Sequence, residues 1–392
     1  MAIRRGRHFL MTPGPTNLPE AVLQAMNRNA VDLADPELNA LAQRCFKDLQ
    51  TLFQTTGEVF MYIAIGHGVW EAALANALAP GDGVLVPETG HFAHGWADVA
   101  RSLGLEVEVL ANSWRSAIDP TAVEARLRAD GDQRLKAVLL VHTDTAAAIT
   151  CDVAAVGQAI ARAGHPALLM VDAVASLGSA EFAMDAWGVD IALSASQKAL
   201  GVPPGLGFIA LGGAARQRLA PRRVSTYWDW ERRRSKAWYR WFCGTTPEHL
   251  IFGLGAALDL LKAEGLEEAI ARHRRLAEGV RAAVAAWARE GALELNPQDP
   301  TTAANAVTTI RVADGFDARE INAVCSQAFN VALGSGLGEL EGQAFRIGHM
   351  GDVNEAMVLG TLGCVEAALR RCGVPMGKGG IEAAIERFAA LD

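Results

Sequence analysis

Lys198 lies in a run of small, apolar and kinked residues, SASQKALGVPPGLGF (194–208), where a charge is unusual. Ser196 and Gln197 offer hydrogen bonds before it, and Pro203-Pro204-Gly205 stiffens the chain after it. A lysine held in a dry and fixed pocket loses part of its proton affinity and can act as an amine nucleophile. Lys198 is therefore the first candidate for a catalytic residue.

Asp172 is the second candidate. It ends the apolar run ALLMVD (167–172), and Lys198 likewise comes just after the apolar run DIALS (190–194). Ligands of open α/β sheets lie beyond the carboxyl ends of the strands. An arbitrary pair of this kind is structural roughly four times in five, but the braced loop around Lys198 favours function. A lysine with a carboxylate partner is typical of pyridoxal 5'-phosphate enzymes, in which the acid keeps the pyridine nitrogen protonated.

A phosphate site for such a cofactor is predicted at Gly66, His67 and Gly68. They stand between the apolar run VFMYI (59–63) and a helix that we predict to begin near Val69. Free backbone N–H groups at a helix start bind a phosphate dianion. The segment lacks the GxGxxG and Walker patterns, which argues against a nucleotide.

The elements that must position these residues alternate between short apolar runs and amphipathic helical patterns, which indicates an α/β fold with a mostly parallel sheet between helices. The remaining runs predicted as strands of this sheet are 83–86, 107–110, 137–142 and 207–211. From about residue 250 long helical patterns take over, followed by the short strands AVTTIRV and FRIG. We therefore predict an N-terminal segment (1–19), a large domain (20–250) and a smaller α+β domain (251–392).

Composition excludes several other classes of protein. The chain has 392 residues and a formal net charge of −8, which argues against binding to nucleic acid or to a membrane surface. No apolar segment reaches transmembrane length without a charge or a breaker. The six cysteines form no CxxC pair, so we expect reduced thiols and a cytoplasmic protein.

Five segments together resemble the class V aminotransferases of fold type I, in the group that uses alanine, serine or aspartate with glyoxylate. They are PGPTNLP (13–19), GHGVWEAALANALAPGD (66–82), VDAVASLGS (171–179), SQKALGVPPGL (196–206) and FRIGHMG (345–351). This resemblance covers nearly the whole chain. It implies pyridoxal phosphate as cofactor, ping-pong transfer of an amino group from an amino acid to a 2-oxo acid, and a homodimer with shared active sites.

The resemblance also implies a role for each matching residue. Lys198 resembles the Schiff-base lysine, Asp172 the pyridinium partner, and Gln197, with the backbone around Gly66 and His67, the phosphate contacts. Phe92 stands where the family places a ring that stacks on the cofactor, and Thr145 resembles the hydroxyl residue near the 3-oxygen. Thr245 resembles a phosphate contact from the neighbouring subunit.

Two arginines are candidates for contacts with the substrate. Arg346 resembles the arginine that binds the substrate α-carboxylate through a planar two-point fork. Arg240 lies between aromatic residues in WYRWF and is a candidate for the second carboxylate of an aspartate donor, although charged runs are more often solvated surface. The donor therefore stays open among serine, alanine and aspartate.

The chain departs from the family pattern at two places. Polar residues usually follow the acid at the position of Asp144, whereas this chain has Ala146, Ala147 and Ala148. A tyrosine that reaches the partner's phosphate is replaced by Phe242. Some polar support for the cofactor is therefore missing.

Three other functions remain open. Pyridoxamine–pyruvate aminotransferase shares several motifs, but Ile65 and Leu337 stand where that enzyme has charged residues. A cysteine desulfurase or another class V lyase needs a reactive cysteine on a mobile loop, whereas Cys325 and Cys364 lie in helical patterns. The non-enzymatic alternative is a cofactor-free binding protein that keeps the fold.

Overall fold

The computed structural model describes residues 6–219 and 224–390. Its strands are β1 (Phe9–Met11), β2 (Glu58–Ala64), β3 (Gly83–Pro87), β4 (Glu106–Leu110), β5 (Leu135–Val141), β6 (Thr143–Asp144), β7 (Ile149–Thr150), β8 (Leu168–Asp172), β9 (Ile191–Ala195), β10 (Gly205–Leu211), β11 (Leu293–Leu295), β12 (Val307–Val312), β13 (Val331–Ser335) and β14 (Ala344–Gly348). Its α-helices are α1 (Glu20–Met26), α2 (Pro36–Phe53), α3 (Gly66–Ala77), α4 (His91–Ser102), α5 (Pro120–Arg128), α6 (Val153–Ala163), α7 (Gly213–Arg218), α8 (Trp230–Arg233), α9 (Glu248–Glu264), α10 (Leu266–Trp287), α11 (Ala318–Phe329), α12 (Glu355–Arg371) and α13 (Gly380–Ala389).

The larger sheet has seven strands in the order β2-β10-β9-β8-β5-β3-β4. Only β10 runs antiparallel to its neighbours, so the carboxyl ends of β2, β9, β8, β5 and β3 meet at one edge. All seven apolar runs predicted as strands are confirmed. Except in the edge strand β4, where Glu106 and Glu108 alternate with valines, they lack polar alternation because helices cover both faces of the sheet.

The two faces of this sheet pack against different helices. On one face, Leu49 of α2, Val156 of α6 and Ile251 of α9 join the same apolar cluster. On the other, Trp70 of α3 and Trp96 of α4 form part of a second cluster. This layered packing confirms the predicted α/β class.

The smaller sheet has the order β1-β13-β14-β12-β11. The predicted strands AVTTIRV and FRIG are confirmed as β12 and β14. The N-terminal strand β1 was not predicted, and it pairs in parallel with β13, with Phe9 opposite Val331. The domain boundaries at 19 and 250 stay predictions. Helix α9, which begins at Glu248 and so spans the second boundary, packs in a cluster of the larger sheet.

Two properties bear on earlier expectations. All six cysteines lie in the described residues, and none of them is in a disulfide. Across the two described ranges, every helix is too short or too polar to cross a bilayer.

Candidate active site

A cavity of about 320 Å³ opens at the edge of the larger sheet where the carboxyl ends of β2, β5, β8 and β9 meet. Seven residues that the sequence predicted for the site line it. They are Gly66, His67, Phe92, Thr145, Asp172, Gln197 and Lys198. The crevice predicted from strand ends is therefore the place where these side chains come together.

Lys198 lies three residues beyond β9 and is covered by the N-terminal segment. Its Nζ donates a hydrogen bond to the carbonyl of Pro13, and its own carbonyl accepts one from Thr16 Oγ1 at 3.0 Å. A Cβ added to Gly14 would lie 2.6 Å from Lys198 Cδ. Burial, followed by the charge of Arg346, lowers the pKa of Lys198 to about 8.

The same segment is held from its other side by the smaller sheet. A Cβ added to Gly348, at the end of β14, would lie 2.7 Å from the nitrogen of Pro13. Pro13 therefore sits between Lys198 and the end of β14.

Asp172 is the last residue of β8, and its carboxylate is held at both oxygens. Oδ1 accepts a hydrogen bond from the N–H of Val174 at 2.7 Å. Oδ2 accepts one from Trp70 Nε1, also at 2.7 Å. Burial raises the pKa of Asp172 to about 6, an effect that these two bonds and the charge of Lys198 oppose. The carboxylate is therefore mostly ionised at neutral pH.

The predicted phosphate site lies in the first turn of α3 rather than in a loop before it. The helix begins at Gly66, three residues earlier than we predicted. The prediction placed the start later because Gly66 and Gly68 are poor helix formers. Val69 N–H donates to the carbonyl of Ile65, so the preceding N–H groups have no partner within the helix. Gly66 and His67 line the cavity, whereas Gly68 does not.

Gln197 offers a second feature suited to a phosphate. Within the described parts of the chain, its Oε1 is buried without a hydrogen-bond partner, and its side chain lines the cavity. The oxygen and nitrogen of a side-chain amide can exchange places when the amide group rotates by about 180°. After that rotation, Gln197 presents two N–H donors at this position. Together with the first turn of α3, Asp172 and Lys198, this amide fits pyridoxal phosphate.

Phe92 is fixed by a residue that the sequence did not identify as functional. The fully buried carboxylate of Asp144 accepts hydrogen bonds from the N–H groups of Phe92 at 2.8 Å and Ala146 at 2.9 Å. A Cβ added to Gly90 would lie 2.6 Å from Asp144 Cγ. Asp144 thus closes the N-terminus of α4, where a negative charge is favoured.

Arg346 extends from β14 beside the cavity. Its Nε donates to the carbonyl of Ser335 at 2.7 Å, and its Nη1 donates to that of Thr145 at 3.0 Å. These bonds orient the guanidinium and leave three of its five donors for a ligand. Burial lowers the pKa of Arg346 to about 10, against the opposing charge of Asp144.

Thr245 and Arg240, both within the described ranges, lie on the exposed surface and do not line the cavity. The guanidinium of Arg240 is 6.0 Å from the ring of Tyr239. The ring of Phe242, which replaces the family's tyrosine, is buried 6.0 Å from that of Phe46. Roles for Thr245 and Arg240 at a shared active site therefore stay predictions that need a second chain.

Three side chains bear on whether the site suits a cysteine desulfurase or a pyridoxamine–pyruvate aminotransferase. Cys325 is buried in α11, and burial raises its pKa to about 12; none of the six cysteines lines the cavity. Ile65 lines the cavity with its apolar side chain 44% exposed. Leu337 packs in the cluster around Trp114 instead. The site thus offers no thiol for a desulfurase.

Comparisons with known proteins agree with this geometry. The family model for aminotransferase class-V matches residues 8–340. The chain is 40% identical to a serine–glyoxylate aminotransferase of Methylorubrum extorquens, covering 97% of this chain and 96% of that one. It is 37% identical to an L-aspartate–glyoxylate aminotransferase of Paracoccus denitrificans, with the same coverage of 97% and 96%.

Among solved structures, the pyridoxamine–pyruvate aminotransferase of Mesorhizobium loti superposes with a TM-score of 0.87 at 28% identity, covering 97% of each chain. The matches span nearly the whole chain and include both sheets. The chain therefore belongs to the class V aminotransferases, a family of pyridoxal-phosphate-dependent enzymes.

Proposed function

We propose that this chain transfers an amino group from an amino acid to glyoxylate, giving glycine and a 2-oxo acid, with pyridoxal phosphate in the cavity described above. The observation that carries the proposal is that the half-buried Lys198 and the buried Asp172 line one cavity beside the open first turn of α3. The choice of glyoxylate is supported by relatives that are named for it, at 40% and 37% identity.

Residues of four elements would hold the cofactor. The amine of Lys198 would bind it covalently, Asp172 would accept a hydrogen bond from the ring nitrogen, and Gln197 with the N–H groups of α3 would contact the phosphate. Phe92 supplies an apolar wall. When bound, the cofactor accepts electrons released at the α-carbon of the substrate and carries the amino group between two half-reactions.

The protein's own groups would then orient the substrate and move protons. Arg346 keeps three donors for the α-carboxylate, and its two backbone bonds fix their direction. A Lys198 amine with a pKa near 8 is partly neutral at pH 7, so it can take a proton from the α-carbon and return one. With a pKa of about 6, Asp172 is mostly ionised at pH 7.

The proposal also covers the assembly of the protein. We infer a cytoplasmic homodimer in which the exposed Thr245 enters the partner's site.

The choice of amino donor is proposed to depend on Arg240. This arginine, also exposed, is the proposed contact for a dicarboxylic donor. Replacing it in Arg240→Leu should lower activity with aspartate about 30- to 1000-fold more than with serine or alanine. Arg232→Leu, an exposed neighbour, is the control, and an equal fall for all donors would contradict the role.

A second candidate is pyridoxamine–pyruvate transamination, which is favoured by the structural likeness at a TM-score of 0.87. The exposed apolar Ile65 disfavours it, because a charged residue was expected there for that substrate. Assays that pair free pyridoxamine with pyruvate, beside amino acids with glyoxylate, distinguish the two activities.

The decisive experiment compares Lys198→Ala with Lys47→Ala, which changes an exposed lysine of α2. We expect the wild-type protein and Lys47→Ala to take up pyridoxal phosphate, with a band near the visible edge, and to form glycine from glyoxylate. Lys198→Ala should lose turnover by about 100-fold or more while it stays folded. Near-normal turnover in Lys198→Ala, or a wild-type protein that takes up no cofactor, would overturn the proposal.

A further inference from the structure

Trp70 is a buried residue of α3 that lies within the quoted segment 66–82 but has none of the roles described above. It follows Gly66 by four residues, so both lie on the same face of the helix, and both line the cavity. Its side chain is 2% exposed, and its Nε1 donates to Asp172 Oδ2 at 2.7 Å. This is one of two hydrogen bonds that the Asp172 carboxylate accepts.

We propose that Trp70 is a positioning residue whose indole N–H holds the Asp172 carboxylate in its ionised form, aimed at the ring nitrogen of pyridoxal phosphate. This inference rests on the proposed function. It adds a residue through which the chain controls the electron-withdrawing power of its cofactor.

The chemistry of the indole makes it suited to this role. Indole N–H is a donor only, so the bond forms with a carboxylate lone pair and is strongest when the carboxylate is charged. Burial works in the opposite direction and raises the pKa of Asp172. Among charged groups, Lys198 lowers that pKa and Asp144 raises it. Losing the indole bond would leave burial less opposed, so Asp172 would become neutral at a higher pH.

Packing fixes the direction of the indole. The ring of Trp70 is stacked on that of Trp96, with centroids 6.1 Å apart and planes 14° apart. The centroid of the His67 ring lies 4.5 Å from that of Trp70. An indole packed against both rings cannot turn its N–H away from Asp172 without disturbing them, so the bond also fixes the carboxylate plane.

The stacked neighbour provides a matched control. Trp96 is buried in the same cluster, but its Nε1 has no hydrogen-bond partner among the residues that the structure describes. Trp70→Phe and Trp96→Phe therefore remove the same atoms from adjacent positions, and only the first removes a bond to Asp172. A difference between these variants reports the bond rather than the lost volume.

The test measures binding of pyridoxal phosphate by absorbance, from about pH 5 to about pH 9, together with kcat and KM for serine and glyoxylate. We expect Trp70→Phe to bind the cofactor about tenfold more weakly at neutral pH and to shift the acid limb of binding upward by about one pH unit. Its kcat should fall more than its KM rises. Trp96→Phe should stay within about twofold of the wild-type protein.

The N–H group is tested separately from the shape of the side chain with β-(benzothiophen-3-yl)alanine at position 70. This residue keeps the bicyclic ring but has no N–H. The same upward shift of the acid limb supports the proposal, even where Trp70→Phe folds poorly. Equal profiles for this variant and the wild-type protein, or for Trp70→Phe and Trp96→Phe, would overturn it. A wild-type protein that fails to bind the cofactor would instead overturn the proposed function.

Discussion

The carboxylate of Asp144 accepts hydrogen bonds from the backbone N–H groups of Phe92 and Ala146, at 2.8 and 2.9 Å. One buried group thus joins the start of α4 to the turn that carries Thr145. Phe92 and Thr145, two walls of the same cavity, are therefore held in register by a residue that does not line it.

Asp144→Asn should lower the free energy of unfolding by about 1–3 kcal/mol. Only one of the two oxygens is kept, so one backbone N–H would face an amide donor in a buried place. Urea unfolding, followed by circular dichroism, measures the change. Asp299→Asn, at an exposed aspartate that accepts a hydrogen bond from Thr301 N–H, is the control and should cost less. Equal losses would mean that burial of Asp144 has no special importance.

Gly14→Ala should slow attachment of pyridoxal phosphate to the apoprotein by about tenfold. The new methyl group would press on Lys198 Cδ and Nζ, 2.6 and 2.7 Å from the added Cβ, and displace the flexible amine. Gly81→Ala is a matched control, because its φ of +88° is close to the +105° of Gly14 but no described residue comes within 4 Å of the added Cβ. Slowing by the same factor in both variants would assign the effect to backbone strain.

The pH dependence of attachment should follow the lowered pKa of Lys198. Burial, and then the charge of Arg346, lower it from 10.5 to about 8. Since only the neutral amine is a nucleophile, the rate should rise about tenfold per pH unit below about pH 8 and level off above it. Stopped-flow absorbance measures this rate. Nα-acetyl-lysine, as the control, should keep reacting faster up to about pH 10.4. A protein profile that matches the free amine would contradict the shift.

Shared active sites should appear as recovered activity in mixed dimers. Lys198→Ala lacks the amine, and Thr245→Glu would place a negative charge against the partner's phosphate. Both homodimers should be inactive, but a hybrid keeps one intact site. After complete subunit exchange at equal amounts, about a quarter of the wild-type activity should return. Labelled chains must verify that exchange takes place, and no recovery despite exchange would mean that each chain completes its own site.

Lys198 and Asp172 were identifiable from sequence because one follows and the other ends a short apolar run, and the strand ends of a parallel sheet converge. The contacts of Trp70 and Asp144 were not, since their hydrogen bonds join residues 102 and 52 positions apart. No local pattern encodes such contacts. Helix α3 begins earlier than predicted because Gly66 and Gly68, poor helix formers, are tolerated in a first turn that packs on the sheet. The roles of Thr245 and Arg240 depend on a second chain.

The pairing of β1 with β13 has a consequence for biosynthesis. Phe9 emerges from the ribosome early and Val331 late, yet these residues lie opposite each other in the folded sheet. Pro13, which follows β1, reaches its place between Lys198 and the end of β14 only after that end has emerged. We therefore expect the contact of Pro13 with the end of β14, which holds this segment over the Lys198 amine, to form only late in translation.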